Sequence, residues 1–349
     1  MNVAMIVPSL ANKGPVIVAK DLCEQFVQIG HTCKVYYFDD IQELSMPCDT
    51  EQISIFDKID FDSWDIVHTH GLRPDLYIRL HKSIIRKTKC RFVTTQHNPI
   101  SIEAIHQTYS FVKSIVGSIL WHIALTAMDE IVFLNSDTRE HTNLISTIKS
   151  RVIYNGRDVV VVENIENDPH KDKIIALKKK YNIIGTISNI IKRKGLEQAI
   201  SALTKLQDCA LVIVGDGEDK PRLQKLAKEL NVEDRCYWVG YHPQAFKYHI
   251  YFNVFIMCTR SEGFPLALIE SAAYGTPTVL SNIPILTAII SKPVVEFYQL
   301  DNIADLCDKI SKVLNNQQFY SRNIHRHYIQ HLTAITMANN YIKLYKSLC

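Results

Sequence analysis

The chain has no paired-cysteine motif, no apolar run of bilayer length, no low-complexity tract and no strong charge of either sign. Each absence removes a class of function. Nine cysteines (Cys23, Cys33, Cys48, Cys90, Cys209, Cys236, Cys258, Cys307, Cys349) are scattered without a CxxC pair. That argues against a zinc site or a disulfide framework and fits a reducing cytosol. A formal net charge of +3 over 349 residues is too small to mark a nucleic-acid partner. The longest apolar stretch, Ile115 to Met128, contains Trp121 and His122 and falls short of a membrane span. The apolar start, Val3 to Val7, is too short for a signal peptide and reads as a first strand. The expected location is cytoplasmic, free or peripheral on the inner face of the cytoplasmic membrane.

What is present is an ordinary globular composition, 47% hydrophobic and 21% charged, in a chain long for one core. Apolar runs alternate with amphipathic ones. Strands are expected at Val3–Pro8, Cys33–Phe38, Asp65–His70, Arg91–His97, Glu130–Leu134 and Arg151–Tyr154. Helices are expected between them at Val16–Gln28, Pro74–Ile85, Ile102–Met128 and Thr138–Ile148. Asn155-Gly156 closes this half, and polar Glu163 to Lys173 reads as a linker. A second series has strands at Ile183–Ser188, Ala210–Val214, Tyr237–Val239, Val254–Cys258, Thr278–Leu280 and Val294–Phe297. Its helices are expected at Leu196–Leu206, Pro221–Leu230, Pro265–Tyr274 and Asn302–Leu314. Such alternation predicts α/β architecture with two doubly wound parallel sheets, residues 1–160 and 174–330, and a terminal helix over 331–349.

The chain is organised around Cys258-Thr259-Arg260-Ser261-Glu262-Gly263-Phe264-Pro265-Leu266-Ala267-Leu268-Ile269-Glu270. A buried strand, Val254–Met257, runs into a loop punctuated by Gly263, and Pro265 suits the first turn of a helix. The free N–H groups at such a helix start can face an anion. Glu270 lies on an apolar helix face, where burial without a partner is costly; an ion pair or a ligand diol would each relieve it.

Glu262 and Glu270, with seven residues between them around Gly-Phe-Pro, closely resemble the E-x7-E signature of retaining glycosyltransferases of family 4 (GT4). The resemblance implies the GT-B fold: two Rossmann-like domains facing a cleft, with the last helix crossing back to the N-terminal domain. It implies a nucleotide-diphosphate-sugar donor bound by the C-terminal domain and a glycan or lipid-linked acceptor bound by the N-terminal one, as in lipopolysaccharide, O-antigen or capsule synthesis. In that family the first Glu lies near the donor sugar, the second meets the ribose, and amides of the loop Gly263, Phe264, Pro265 and Leu266 meet the diphosphate. Lys194, in Lys192-Arg193-Lys194-Gly195, matches the lysine that pairs with the diphosphate. The family's usual Arg five residues earlier is here Asn189, and Arg193 or Lys192 could take over its charge.

His97, at a strand end, matches a histidine near the donor sugar, which makes Glu262, His97 and Lys194 the catalytic candidates. Gly217, in the turn Gly215-Asp216-Gly217, and Gly14 match glycines close to the donor, although a tight turn alone would explain Gly217. Tyr241 and His242 stand where the family places its base pocket. No metal or cofactor is expected: His68-Thr69-His70 has no acidic ligand beside it, and Asp60-Phe61-Asp62 reads as a polar turn.

Basic residues from Arg73 to Arg91 (Arg73, Arg79, Lys82, Arg86, Lys87, Lys89, Arg91) stand against a single Asp75 and could meet anionic lipid. The apolar helix Ile102–Met128 reads as core, though it could also face a membrane. Two other functions fit the resemblance: a non-catalytic nucleotide-sugar-binding subunit and a sugar-nucleotide epimerase.

Overall fold

Parallel strands buried on both faces dominate the structure, a computed structural model that describes residues 1–81, 88–97, 111–142 and 148–349. The chain folds as two compact units, Met1–Arg157 with Leu332–Cys349, and Asp158–His331.

In the first unit β1 (Asn2–Leu10) is followed by α1 (Gly14–Gln28), β2 (Thr32–Gln42), β3 (Asp49–Gln52), β4 (Ile66–His70) and α2 (Leu72–Leu80). Then come β5 (Arg91–Gln96), α3 (Phe111–Leu125), β6 (Glu130–Phe133), α4 (Ser136–His141) and β7 (Lys149–Val152). Among the described residues the sheet order is β3-β2-β1-β4-β5-β6-β7, all parallel. Continuous apolar runs such as Val3 to Val7 form central strands because helices cover both faces. β3 is a fully exposed edge strand, Asp49-Thr50-Glu51-Gln52, whose polarity hides it from a search for apolar runs. The terminal helix Ala334–Leu348 belongs to this unit and buries Tyr341, Leu344 and Tyr345.

The second unit begins with α5 (Lys171–Lys178), inside the stretch expected to be a linker and its neighbourhood; Ile174 anchors it. β8 (Asn182–Ile187), α6 (Leu196–Ala202), β9 (Cys209–Val214), α7 (Lys220–Glu229) and β10 (Cys236–Gly240) follow. The unit continues with β11 (Val254–Met257), α8 (Leu266–Ala273), β12 (Thr278–Ser281), α9 (Pro284–Ile289), β13 (Glu296–Tyr298), α10 (Ile303–Leu314) and α11 (Gln317–His327). The sheet order is β10-β9-β8-β11-β12-β13, again all parallel. Its core packs Ile184, Leu211, Ile213, Val254, Ile256 and Val279 against Leu196, Ile200 and Leu306.

The order of strands along the chain reverses once in each sheet, between β1 and β4 and between β8 and β11. In doubly wound sheets ligands bind beyond the carboxyl ends of the strands at such a reversal of strand order.

Candidate functional site

The loops after β8 and β11 flank the reversal point of the second sheet, and backbone hydrogen bonds join them. The Arg260 N–H donates to the Arg193 carbonyl at 2.9 Å. The Thr259 hydroxyl also donates to the Arg193 carbonyl, at 3.3 Å. Gly195 holds φ +61°, and a Cβ there would lie 2.2 Å from the Cys258 carbonyl oxygen. The residue after Lys194 therefore has to be glycine. This close approach directs Lys194 at the second loop.

Lys194 Nζ donates to Glu262 Oε1 at 2.6 Å, and the Glu262 side chain is only 7% exposed. Arg193 Nη1 lies 3.6 Å from Glu262 Oε2 and also donates to the Ser261 carbonyl. Asn189 is exposed, and its carbonyl accepts from the Ile191 N–H at 3.1 Å. The cation beside Glu262, besides Lys194, is thus Arg193 and not a group at position 189.

Past Glu262 the chain passes Gly263 and buried Phe264 to Pro265, which is the N-cap of α8 in extended conformation and not its first helical residue. Leu266 opens the helix, so the loop's last amides and the first-turn N–H groups lie together. Glu270 is buried on α8 among Leu268, Ile269 and Ala272. Burial raises the Tyr274 hydroxyl above its usual range, and the nearby Glu270 charge adds to the shift. The helix ends as expected, with Gly275 at φ +63°.

The Gly215-Asp216-Gly217 turn lies on the loop that carries Asn189. A Cβ at Gly217 would stand 2.3 Å from the Ile190 carbonyl oxygen, and the Ile190 N–H donates to the Asp216 carbonyl at 2.9 Å. Close backbone packing accounts for Gly217 by itself. Tyr241 is 71% exposed, and His242 packs edge-on to Tyr248.

In the first unit Gly14 is the first residue of α1, with no atom within 4 Å of where a Cβ would be. His97 follows β5, half-buried, with Nε2 2.9 Å from His70 Nδ1. Burial lowers the His97 pKa to about 3, so the ring is neutral. His68 bonds Tyr345 OH through Nδ1 at 2.7 Å and Thr95 Oγ1 through Nε2 at 2.8 Å. Both His68 nitrogens therefore have protein partners.

Two buried polar residues escape sequence reasoning. Gln198 on α6 donates to the Cys258 carbonyl at 3.0 Å and accepts from Tyr298 OH at 2.9 Å, tying both site loops to β13. Asp75 on α2 is fully buried and accepts from Thr69 Oγ1 at 2.6 Å and Trp121 Nε1 at 2.8 Å. Burial raises its pKa to about 6 against those hydrogen bonds. The signal available for both was the one that marked Glu270, a polar residue on an apolar helical face.

Of the basic cluster, Arg73, Arg79, Lys89 and Arg91 are described; Lys82, Arg86 and Lys87 lie outside the described residues, as do the end of the expected helix Pro74–Ile85, the start of Ile102–Met128 and residues 143–147 of Thr138–Ile148. Arg73 pairs with Asp39 at 2.5 Å. The visible part of the apolar helix, α3, does not act as a simple core helix. Val116, Ile119, Leu120 and Ile123 are 51%, 54%, 40% and 45% exposed, while Ser114, Ser118, Ala124 and Leu125 are buried.

Residues 167–330 match the family model described as glycosyl transferases group 1. Among curated proteins, the chain is 28% identical over 359 residues to the O-antigen biosynthesis glycosyltransferase WclY of Escherichia coli, spanning 100% of this chain and 99% of that one. Among solved structures it resembles Anabaena HepE in complex with UDP, with a TM-score of 0.81, 14% identity and coverage of 99% and 100%. It also resembles sucrose-phosphate synthase from Thermosynechococcus elongatus, with a TM-score of 0.78, 17% identity and coverage of 99% and 98%. At such identities the structural likeness carries the fold.

Proposed function

From the premise that the chain is an enzyme of the glycosyltransferase class with the GT-B fold, we propose that it is a retaining family 4 enzyme. It would move a sugar from a nucleotide-diphosphate-sugar to a lipid-linked glycan acceptor in O-antigen or lipopolysaccharide synthesis, at the cytoplasmic side of the membrane. The observation that carries this is the Lys194–Glu262 ion pair across the reversal point of the second sheet, with Arg193 beside it. Two cations and one carboxylate leave one positive charge in excess, next to the start of α8, where anions are favoured. The similarity to a UDP-bound protein supports a nucleotide donor, and WclY supports the O-antigen setting.

In this reading the second unit holds the donor. Glu270 accepts from the ribose hydroxyls, the N–H groups of Gly263, Phe264 and Leu266 meet the diphosphate, and Lys194 and Arg193 neutralise the charge that develops on it. These cations take the place of a metal ion. The bond from the anomeric carbon to the phosphate oxygen breaks as the acceptor oxygen bonds to the same face. The acceptor's proton passes to the departing phosphate. His97, in the first unit, contacts the transferred sugar, and Glu262 holds Lys194 in place until the donor arrives. The first unit takes the acceptor.

The test incubates the chain with a panel of nucleotide-sugars and an undecaprenyl-linked glycan, then assigns the new linkage by NMR. Transfer with the donor's anomeric configuration kept is expected. Inversion overturns the mechanism. An epimerised donor without transfer, or nucleotide-sugar binding without turnover, overturns the function.

A further inference from the structure

The first unit contains three histidines whose rings are in succession. His68 and His70 point to the same side of β4, with ring centroids 4.4 Å apart. His70 and His97 are stacked at 5.2 Å, at an interplanar angle of 29°. His68 is held at both nitrogens, by Tyr345 of the terminal helix and by Thr95 of β5, whose hydroxyl also bonds Tyr341 OH at 2.7 Å. A fixed His68 backs His70, and His70 in turn meets His97 at 2.9 Å.

We infer that His70 is a positioning residue for His97: it donates from Nδ1 to His97 Nε2 and so fixes the His97 proton on Nδ1. Both rings are neutral, because burial holds His97 at about 3 and His70 well below its ordinary value. A neutral imidazole has one donor and one acceptor, so one proton lies between the two rings and each remaining nitrogen takes the opposite state. His70 is fully buried, and its Nε2 has no partner among the described residues. If His97 were the donor, that Nε2 would carry a buried N–H with no acceptor. Orphaned buried N–H groups are rare in folded proteins, rarer than acceptors left without a donor. The opposite arrangement leaves only a bare lone pair there. His97 then presents Nδ1–H, a neutral donor suited to a sugar hydroxyl or ring oxygen. This deepens the sugar-contact role proposed above and rests on it for its consequence, not for its geometry.

The experiment is long-range nitrogen–proton NMR on the full chain with labelled histidine, which separates protonated from bare ring nitrogens. His97 is expected to be protonated at Nδ1 in the unmodified chain, a result that needs no variant to fold. His70→Leu, which removes the donor, should mix the two His97 tautomers and lower turnover about tenfold or more, leaving nucleoside diphosphate affinity unchanged. His70→Asn, whose amide nitrogen stands near the place of Nδ1, should recover most of both losses. A wild-type His97 protonated at Nε2, or an unchanged Nδ1 signature in His70→Leu, overturns the inference. If instead the signature follows His70 while His97→Ala keeps full turnover, the positioning stands and the sugar-contact role falls.

Discussion

Glu262 is a carboxylate almost out of water, and the two cations beside it are unequal. Lys194 makes the short contact at 2.6 Å, while Arg193 is at 3.6 Å and shares its guanidinium with the Ser261 carbonyl. A diphosphate entering this loop pair would compete with Glu262 for both. Lys194→Ala should lower kcat by about 10²-fold or more, the scale of losing one oxyanion donor. Arg193→Ala should also lower it, by a smaller factor, because only part of its charge faces Glu262. Asn189→Arg should partly restore Lys194→Ala, since exposed position 189 can take a longer side chain. Steady-state kinetics with the donor varied would check all three, and full activity in Lys194→Ala would remove the phosphate assignment. The lysine's importance could be read from the sequence through the Lys-Gly pattern. That Arg193 and not Asn189 supplies the second cation depended on where two loops meet.

At the scale of one element, α3 carries apolar residues on both sides. Its buried residues, Ser114, Ser118, Ala124 and Leu125, include two serines, and its outer stripe is Val116, Ile119, Leu120 and Ile123. Half-buried Trp121 also turns its Nε1–H inward, to Asp75. Asp75 beneath the helix is buried and takes its donors from Thr69, Gln96 and this Trp121. The apolar exterior then needs an apolar neighbour. Leu80 of α2, 63% exposed, adds to it, and Arg79 and Lys113 supply positive charge on α2 and α3, Arg73 being paired with Asp39. We propose that this face lies on anionic lipid, which gives the acceptor's lipid a place beside the first unit. Co-sedimentation with phosphatidylglycerol vesicles should weaken as salt rises, since exposed charges are screened within about 8 Å at physiological ionic strength. Ile119→Ser with Ile123→Ser should lower binding about tenfold or more at constant salt, with the thermal midpoint unchanged. Absence of binding, or equal binding by the double variant, rejects the surface. Among the described residues no helix is long and apolar enough to cross a membrane.

Over the whole molecule, buried histidines govern the response to acid. Burial holds His68, His97 and His249 at about 3 and His327 at about 4, in both units. Unfolded histidine titrates near pH 6.5, so these groups contribute stability that is complete above that pH and lost as it falls toward the folded values. Asp75 works the other way. Its folded pKa of about 6 exceeds the unfolded value of about 3.9, so its contribution is lost as pH rises through that window. One carboxyl opposes these four imidazoles and His70, which burial also holds well below its ordinary value, each worth up to about 1.4 kcal/mol per pH unit. The unfolding midpoint should therefore drop between pH 7.5 and 5.5; a constant or higher midpoint at pH 5.5 would refute this. His249 is the best handle, being packed against Phe252, Phe255 and Tyr274 with neither ring nitrogen bonded among the described residues. His249→Phe should raise the midpoint at pH 5.5 more than at pH 7.5.

The sequence by itself determined the two parallel sheets, because strands covered on both faces must be continuous apolar runs, and helices between them must alternate with those runs. It also determined the loop from Glu262 to Leu266 and the stop at Gly275, since Gly and Pro constrain the backbone locally. It could not show which side of α3 faces water, because a helix apolar on most positions has no polar stripe to orient it. Nor could it show that Lys194 meets Glu262, that Gly217 lies on the Ile190 carbonyl, or that His70 meets His97. Those contacts join residues on different strands and loops. Sequence periodicity describes one element at a time, and only the packing of strands side by side decides which loop ends become neighbours.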